Sequence, residues 1–217
     1  MFRYLLIFLL CFITSAPALA QQSFPRVHLV AHSSVEDRIF LEELKCMLEN
    51  VFMVEVVLHR EAHQLDISGA YKSLRRQYNA GELLKTLADQ KKSGFLPEDG
   101  YIFYMVEPDI YRGSYNFLFA LMDFKTNINV MSLARLRHKD DGHTTDRMFR
   151  LVAKNIAKFS GHRPSGKCFM GFSNSLGELD SRIVRLCEPD LSALQSMGLV
   201  KPELKDGTIM KGCALIM

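Results

Sequence analysis

Beyond its first twenty residues, this sequence of 217 residues has no second long apolar run, so nothing in the remainder reads as a membrane span. It has no internal repeat and no low-complexity segment, which excludes solenoid and fibrous architectures. It has little net charge, formally +3. So weak a balance carries no electrostatic footprint for nucleic acid, and nucleic acid is excluded as a partner. Cysteine is sparse, with five residues in all. One of them, Cys11, lies inside the early apolar run without the small residues before it that a lipoprotein signal needs.

The early run itself reads as a targeting segment. Arg3 gives a short positive start, Leu5 to Ile13 are almost wholly apolar, and Ala18-Leu19-Ala20 is a small-x-small cleavage site. Residues 1–20 are therefore expected to be a signal peptide, with a mature chain 21–217 that is periplasmic or secreted and keeps no stable membrane span. About 200 residues remain, enough for one well-cored domain. Its cysteines, Cys46, Cys168, Cys187 and Cys213, would meet an oxidising compartment. Four cysteines allow three connectivities, and spacing does not choose among them.

Hydrophobic patterning predicts strands at Arg26 to His32, about Val51 to Leu58, and Tyr101 to Val106. Phe117 to Phe124 and Asn127 to Leu133 are close enough to pair as a hairpin across Lys125-Thr126. Ser33 with Glu36 is a capping-box pattern ahead of Phe40, Leu44, Met47, Leu48 and Val51 at helical spacing. Asn79 with Glu82 starts a second helix. Thr144 or Thr145 caps a third, running through Phe159 and ended by Gly161 and Pro164. A segment from Leu179 to Leu186 and a small helix at Leu191 to Met197 follow. Strands mixed with helices predict an α/β (α+β) fold, a mixed sheet with flanking helices in a single domain.

Two histidine clusters invite a metal reading. His59 and His63 are four apart, but Glu61 stands two residues after the first histidine, where a zinc-peptidase helix needs it directly after, and the pair follows a strand; a solvated loop is expected over Arg60 to Ser73. His138, Asp140, Asp141 and His143 read as a polar linker before the third helix. In that helix Met148, Leu151, Val152, Ile156 and Phe159 recur at spacings of three and four, an apolar stripe facing a core.

The segment Arg147 to Asp190 resembles the archaemetzincins, a family of zinc metallopeptidases with the pattern H-E-x-x-H-x-x-G-x-x-H-C-x-x-x-x-C-x-M and a later C-x-x-C pair. Cys168-Phe169-Met170 is similar to the C-x-M, with Met170 as the methionine of the turn, and Gly171 to Leu176 with Asp180 resembles the stretch that follows. Cys187 falls at the first cysteine of the late pair. Upstream, Arg76 to Ala80, Asp109-Ile110-Tyr111, Asn116 to Phe119 and Ser132 to Arg137 resemble further family motifs in order. The resemblance implies a metzincin-like fold with a twisted mixed sheet.

The departures carry the functional expectation. Counting back from Cys168 without a gap, Val152 and Ile156 take the first two histidine positions, Ala153 takes the catalytic glutamate, and His162 takes the third histidine. A shift by two restores the turn glycine as Gly161 and puts Lys154, Asn155 and Lys158 at the His-Glu-His positions. Neither register supplies a ligand pair or a base, so the resemblance implies no catalytic residue and no cofactor, with His162 the one ligand candidate for zinc. At the family's second zinc site, Cys168 and Cys187 keep two of four positions while Arg163 and Asp190 stand at the others. That implies a Cys168–Cys187 disulfide in place of the metal. The expected function is an exported archaemetzincin-like homologue that has lost catalysis, a pseudoenzyme binding a peptide or an envelope protein. The alternative is a zinc-dependent hydrolase with a rearranged site of His162 with His138, Asp140, Asp141 or His143.

Overall fold

The computed structural model describes residues 24–165, 168 and 170–209; the expected signal peptide and Cys213 lie outside them. Strands β1 (Arg26–His32), β2 (Glu55–His63), β5 (Tyr101–Val106), β7 (Ala120–Asp123) and β8 (Ile128–Ser132) form one sheet in the order β2-β1-β5-β8-β7. All pairs are parallel except β7 with β8, so the mixed α/β sheet expected from sequence is present, with an antiparallel strand at one edge. Short strands β3 (Tyr71–Lys72), β4 (Gln77–Asn79) and β6 (Ile110–Tyr111) make a separate small sheet.

Helices cover both sheet faces, which is why the central strands read as unbroken apolar runs. On β5, Phe103 and Met105 point to the layer that contains helices α1 (Ile39–Val51) and α3 (Asp141–Phe159), while Ile102, Tyr104 and Val106 point to α2 (Ala80–Lys92). Two short helices, α4 (Leu176–Ser181) and α5 (Glu188–Ser196), follow α3. The tail after α5 packs on the main core: Val200 bridges to Phe52, and Leu199, Val200 and Ile209 are buried. Among the described residues no helix is long and apolar enough to cross a membrane.

The local signals worked unevenly. Asn79 caps α2 as expected, its Oδ1 accepting from the N–H of Gly81 at 2.9 Å and Glu82 at 3.3 Å. The Ser33–Glu36 capping box is not used. Ser34 instead turns back onto His32, its N–H donating to the imidazole Nδ1 at 3.0 Å, and α1 starts only at Ile39. The second strand starts later than predicted and runs on through His63, so His59 and His63 lie on a strand that extends into the expected loop. Helix α3 begins at Asp141, four or five residues early, because Asp140 rather than a threonine caps it, accepting from the N–H of Gly142 at 3.0 Å.

Helix α3 is the main brace between the sheet and the C-terminal segments. Its Arg147 forms a fork with Asp180 in the last turn of α4, at 2.8 and 2.6 Å, and donates to the Leu136 carbonyl at 3.0 Å. That guanidinium holds the Asp180 carboxyl below the usual carboxylate range. Phe149 is fully buried beside Met148 in the layer with α1. Phe149→Ala is expected to lower stability by about 3–5 kcal/mol in urea unfolding. Leu74→Ala, at an exposed position, should stay within about 0.5 kcal/mol of the parent.

Candidate functional site

Helix α3 has two useful faces. Val152, Ala153 and Ile156 are wholly buried in the core cluster that includes Phe103, Met131 and α1. The other face, with Leu151, Lys154, Asn155 and Lys158, lines a cavity of about 360 Å³. The opposite wall is the edge strand β7 together with the Tyr115 to Phe119 segment, and the mouth carries Phe172 to Asn174. A site that must admit substrate has to open on the cleft. The gap-free register, which puts the degenerate positions at Val152, Ala153 and Ile156, therefore names core residues. The register shifted by two names residues that face the cleft, and it also recovers the turn glycine: Gly161 has φ +89°, the left-handed conformation that glycine adopts without strain.

The cleft is cationic. No Asp or Glu lines it, while two lysines do. Lys154 is only 8% exposed, and among the described residues its ammonium has no hydrogen bond and no ion pair; its one recorded neighbour is the Phe172 ring, 6.0 Å from Nζ to centroid. Burial, and then the charges of Lys158 and Arg182, push its pKa down to about 8. It is still mostly protonated at neutral pH. Lys158 is half-buried and is lowered by burial too. Asn129 on β8 also lines the cleft; it is fully buried, and neither its Nδ2 nor its Oδ1 has a partner among the described residues. The sequence reading missed Asn129, although one amide inside an otherwise apolar strand is a visible signal.

The loop after α3 is tightly tied. Arg182 donates to the carbonyls of Cys168 at 2.9 Å and Phe172 at 2.7 Å, and to Ser173 Oγ at 3.1 Å. Met170 is buried beneath this loop in the main core. Cys168 and Cys187 face each other with Cα atoms 5.8 Å apart.

His162 does not look into the cleft. Its Nε2–H donates to Asp190 Oδ1 at 2.9 Å, and Asp190, 1% exposed, also accepts from the backbone N–H and the hydroxyl of Ser165, both at 2.9 Å. These three bonds occupy the carboxylate. His138 and His143 meet near the start of α3, their rings tilted by 52° with centroids 4.7 Å apart. His162 lies past the other end of a 19-residue helix, roughly 28 Å away. The rearranged site of His162 with His138, Asp140, Asp141 or His143 is therefore not brought together. His59 pairs with His28, Nε2 to Nδ1 at 3.1 Å, on the far side of the sheet order from the cleft. Among the described residues no three His, Cys, Asp or Glu side chains converge as a metal cage.

The family model for Peptidase family M54 matches residues 28–196. The archaemetzincin of Nanoarchaeum equitans is 28% identical over 148 residues, covering 65% of this chain and 75% of its own. That of Haloquadratum walsbyi is 30% identical over 160 residues, covering 67% and 86%. Among solved structures, the archaemetzincin of Methanopyrus kandleri superposes with a TM-score of 0.66 at 26% identity, over 82% of this chain and 97% of that one. A zinc-dependent peptidase from Methanocorpusculum labreanum gives 0.62 at 23% identity, over 77% and 99%, which supports the fold. The matched region takes in the sheet, the cleft-lining helix and the tied loop, and on that evidence the chain belongs to peptidase family M54, the archaemetzincins.

Proposed function

We propose that this archaemetzincin homologue is an exported protein that has lost peptidase chemistry and uses the old substrate cleft to bind an extended peptide segment of an envelope or secreted protein. One observation carries the reading: the α3 face that opens on the cleft presents Lys154, Asn155 and Lys158. The family is one of zinc peptidases, and a catalytic zinc needs about three lone-pair donors, an open position for water, and a carboxylate to take that water's proton. Protonated lysines have no lone pair to give, and no carboxylate lines the cleft. These residues do not fit the metal. What remains suits binding. β7 is the outermost strand of the sheet, with β8 on one side and no strand on the other among the described residues. An extended peptide can add to such an edge through main-chain hydrogen bonds.

The second metal position of the family supports the same reading. Asp190 is committed to His162 and Ser165. Cys168 and Cys187 are placed to bond to each other, and we read them as a disulfide that replaces a structural zinc. Closing a loop of about twenty residues is worth on the order of 3 kcal/mol in the chain-entropy model.

Purified mature protein is expected to carry well under one zinc per chain after exchange into zinc-containing buffer, and to cleave no casein or unstructured peptide pool. Stoichiometric zinc accompanied by cleavage would overturn the reading. Mass mapping of the non-reduced protein should show a Cys168–Cys187 linked peptide, and reduction should lower the melting temperature by roughly 6–12 °C, the shift expected for about 3 kcal/mol in a chain of this size. Free thiols at both positions would remove the disulfide. The intact mass of protein recovered from an envelope or secreted fraction should correspond to a chain starting at Gln21; an uncleaved chain would contradict export through a removed signal.

A further inference from the structure

Lys154 is a buried cation without a counter-charge, and it faces a cavity. Such a group is costly, because the partial desolvation of the ammonium is offset by no counter-charge among the described residues. The surroundings do not relieve it. Lys158 lies one turn along on the same helix face, Arg182 is already engaged with the Phe172 carbonyl and Glu178, and every other polar lining group is a carboxamide, a hydroxyl or backbone. Asn129 adds a second unsatisfied group to the same space: a fully buried carboxamide with no partner for either its oxygen or its nitrogen. Two independent side chains, one from α3 and one from β8, thus lack partners on one cavity. The aromatic rings of Phe117, Phe119 and Phe172 line the rest, and the cavity, about 360 Å³, falls in the range of small-ligand pockets.

We propose that the cleft recognises a carboxylate on an extended peptide, with the Lys154 ammonium as its counter-ion, Lys158 reinforcing the field, and the Asn129 carboxamide donating to or accepting from the same chain. The inference rests on the peptide-binding reading of this cleft and goes further by naming the recognised group. The carboxylate replaces the charge balance that a metal-binding helix would have had in reverse: where zinc peptidases offer a cation held by protein ligands, this helix offers cations of its own. A peptide carboxylate has two sources, a free C-terminus and an acidic side chain, and both present the same two oxygens to an ammonium.

The mature protein is titrated by calorimetry at low ionic strength and neutral pH with three probes. These are N-acetyl-Ala-Val-Phe-Ala with a free C-terminal acid, the same peptide as its C-terminal amide, and the amide with glutamate in place of the last alanine. One or both acidic peptides are expected to bind at least about tenfold more tightly than the neutral amide, and Lys154→Met should reduce that preference to within about twofold. Whichever acidic peptide shows the preference identifies the source. Lys154→Met removes a buried charge and is expected to melt no lower than the parent. If it does not fold, Lys158→Gln gives the same readout, with a loss of preference of about threefold or more. Equal binding of all three peptides would overturn the carboxylate inference while leaving peptide binding intact. Failure of all three to bind would sink both. A preference that survives Lys154→Met in folded protein would also overturn it.

Discussion

The rotation of α3 about its own axis decides everything that its residues do. Successive residues turn by about 100°, so Val152 and Ile156 point roughly 90–130° away from the centre of the stripe formed by Leu151, Asn155 and Lys158. Burying Met148, Phe149, Val152 and Ile156 against the sheet and α1 contributes about 1.5–3 kcal/mol for each side chain. A helix turned to face Val152 and Ile156 toward the cleft would lose that burial and drive two ammoniums into the core. The apolar stripe fixes the orientation, and the cleft receives whatever the other face carries.

The His162–Asp190 cluster and the cleft meet their buried polar groups in different ways. Behind the cleft, His162, Ser165 and Asp190 form a closed set of hydrogen bonds in which the carboxylate accepts three donors, and the facing cysteines can tie the same loop covalently. This arrangement satisfies every buried group it uses and needs no ion. In the cleft the opposite holds. Lys154 and Asn129 both line it and make no hydrogen bond among the described residues, and Asn129 is wholly buried. Satisfied polar groups hold a fold together, whereas unsatisfied ones lining a cavity mark a place where something else is meant to sit.

The contrast also explains what the sequence could reveal. Strand β5, the Asn79 cap of α2 and the apolar stripe of α3 are local patterns, and they were legible; the approach of Cys168 to Cys187 followed only from the family resemblance, not from spacing. The register of the former metal motif was not legible. Counting back from Cys168 keeps His162 at the third histidine but puts Phe159 where the family has its turn glycine, and it lands on core positions in α3. Only the packing of α3 distinguishes Val152 from Lys154 as the residue facing the cleft. The start of α1 was missed because Ser33 and Ser34 lie in a turn that Ser34 closes onto His32, and the helix begins only after Arg38, which caps it without a side-chain hydrogen bond. The partnerships of His162 with Asp190 and of His28 with His59 join residues 28 and 31 positions apart, a distance that no local pattern encodes.

Linkage gives the sign of what Lys154 does to the protein. Its pKa falls from the ordinary lysine value of 10.5 to about 8 on folding, so the unfolded chain holds the proton more tightly than the folded one. Between those values the stability contributed by this group rises with pH, and below about 8 its charge weakens the fold by a constant amount. At neutral pH the empty cleft is therefore the less favourable state for this side chain. An anion placed beside it reverses the sign: the carboxylate stabilises the charged form, raises the lysine pKa, and converts a destabilising group into binding affinity. Lys158 and Arg182, whose charges add to the cost in the empty cleft, then act in the same favourable direction. Replacing the lysine by an apolar side chain of similar length would serve stability better, a loss of stability that the proposed recognition would account for.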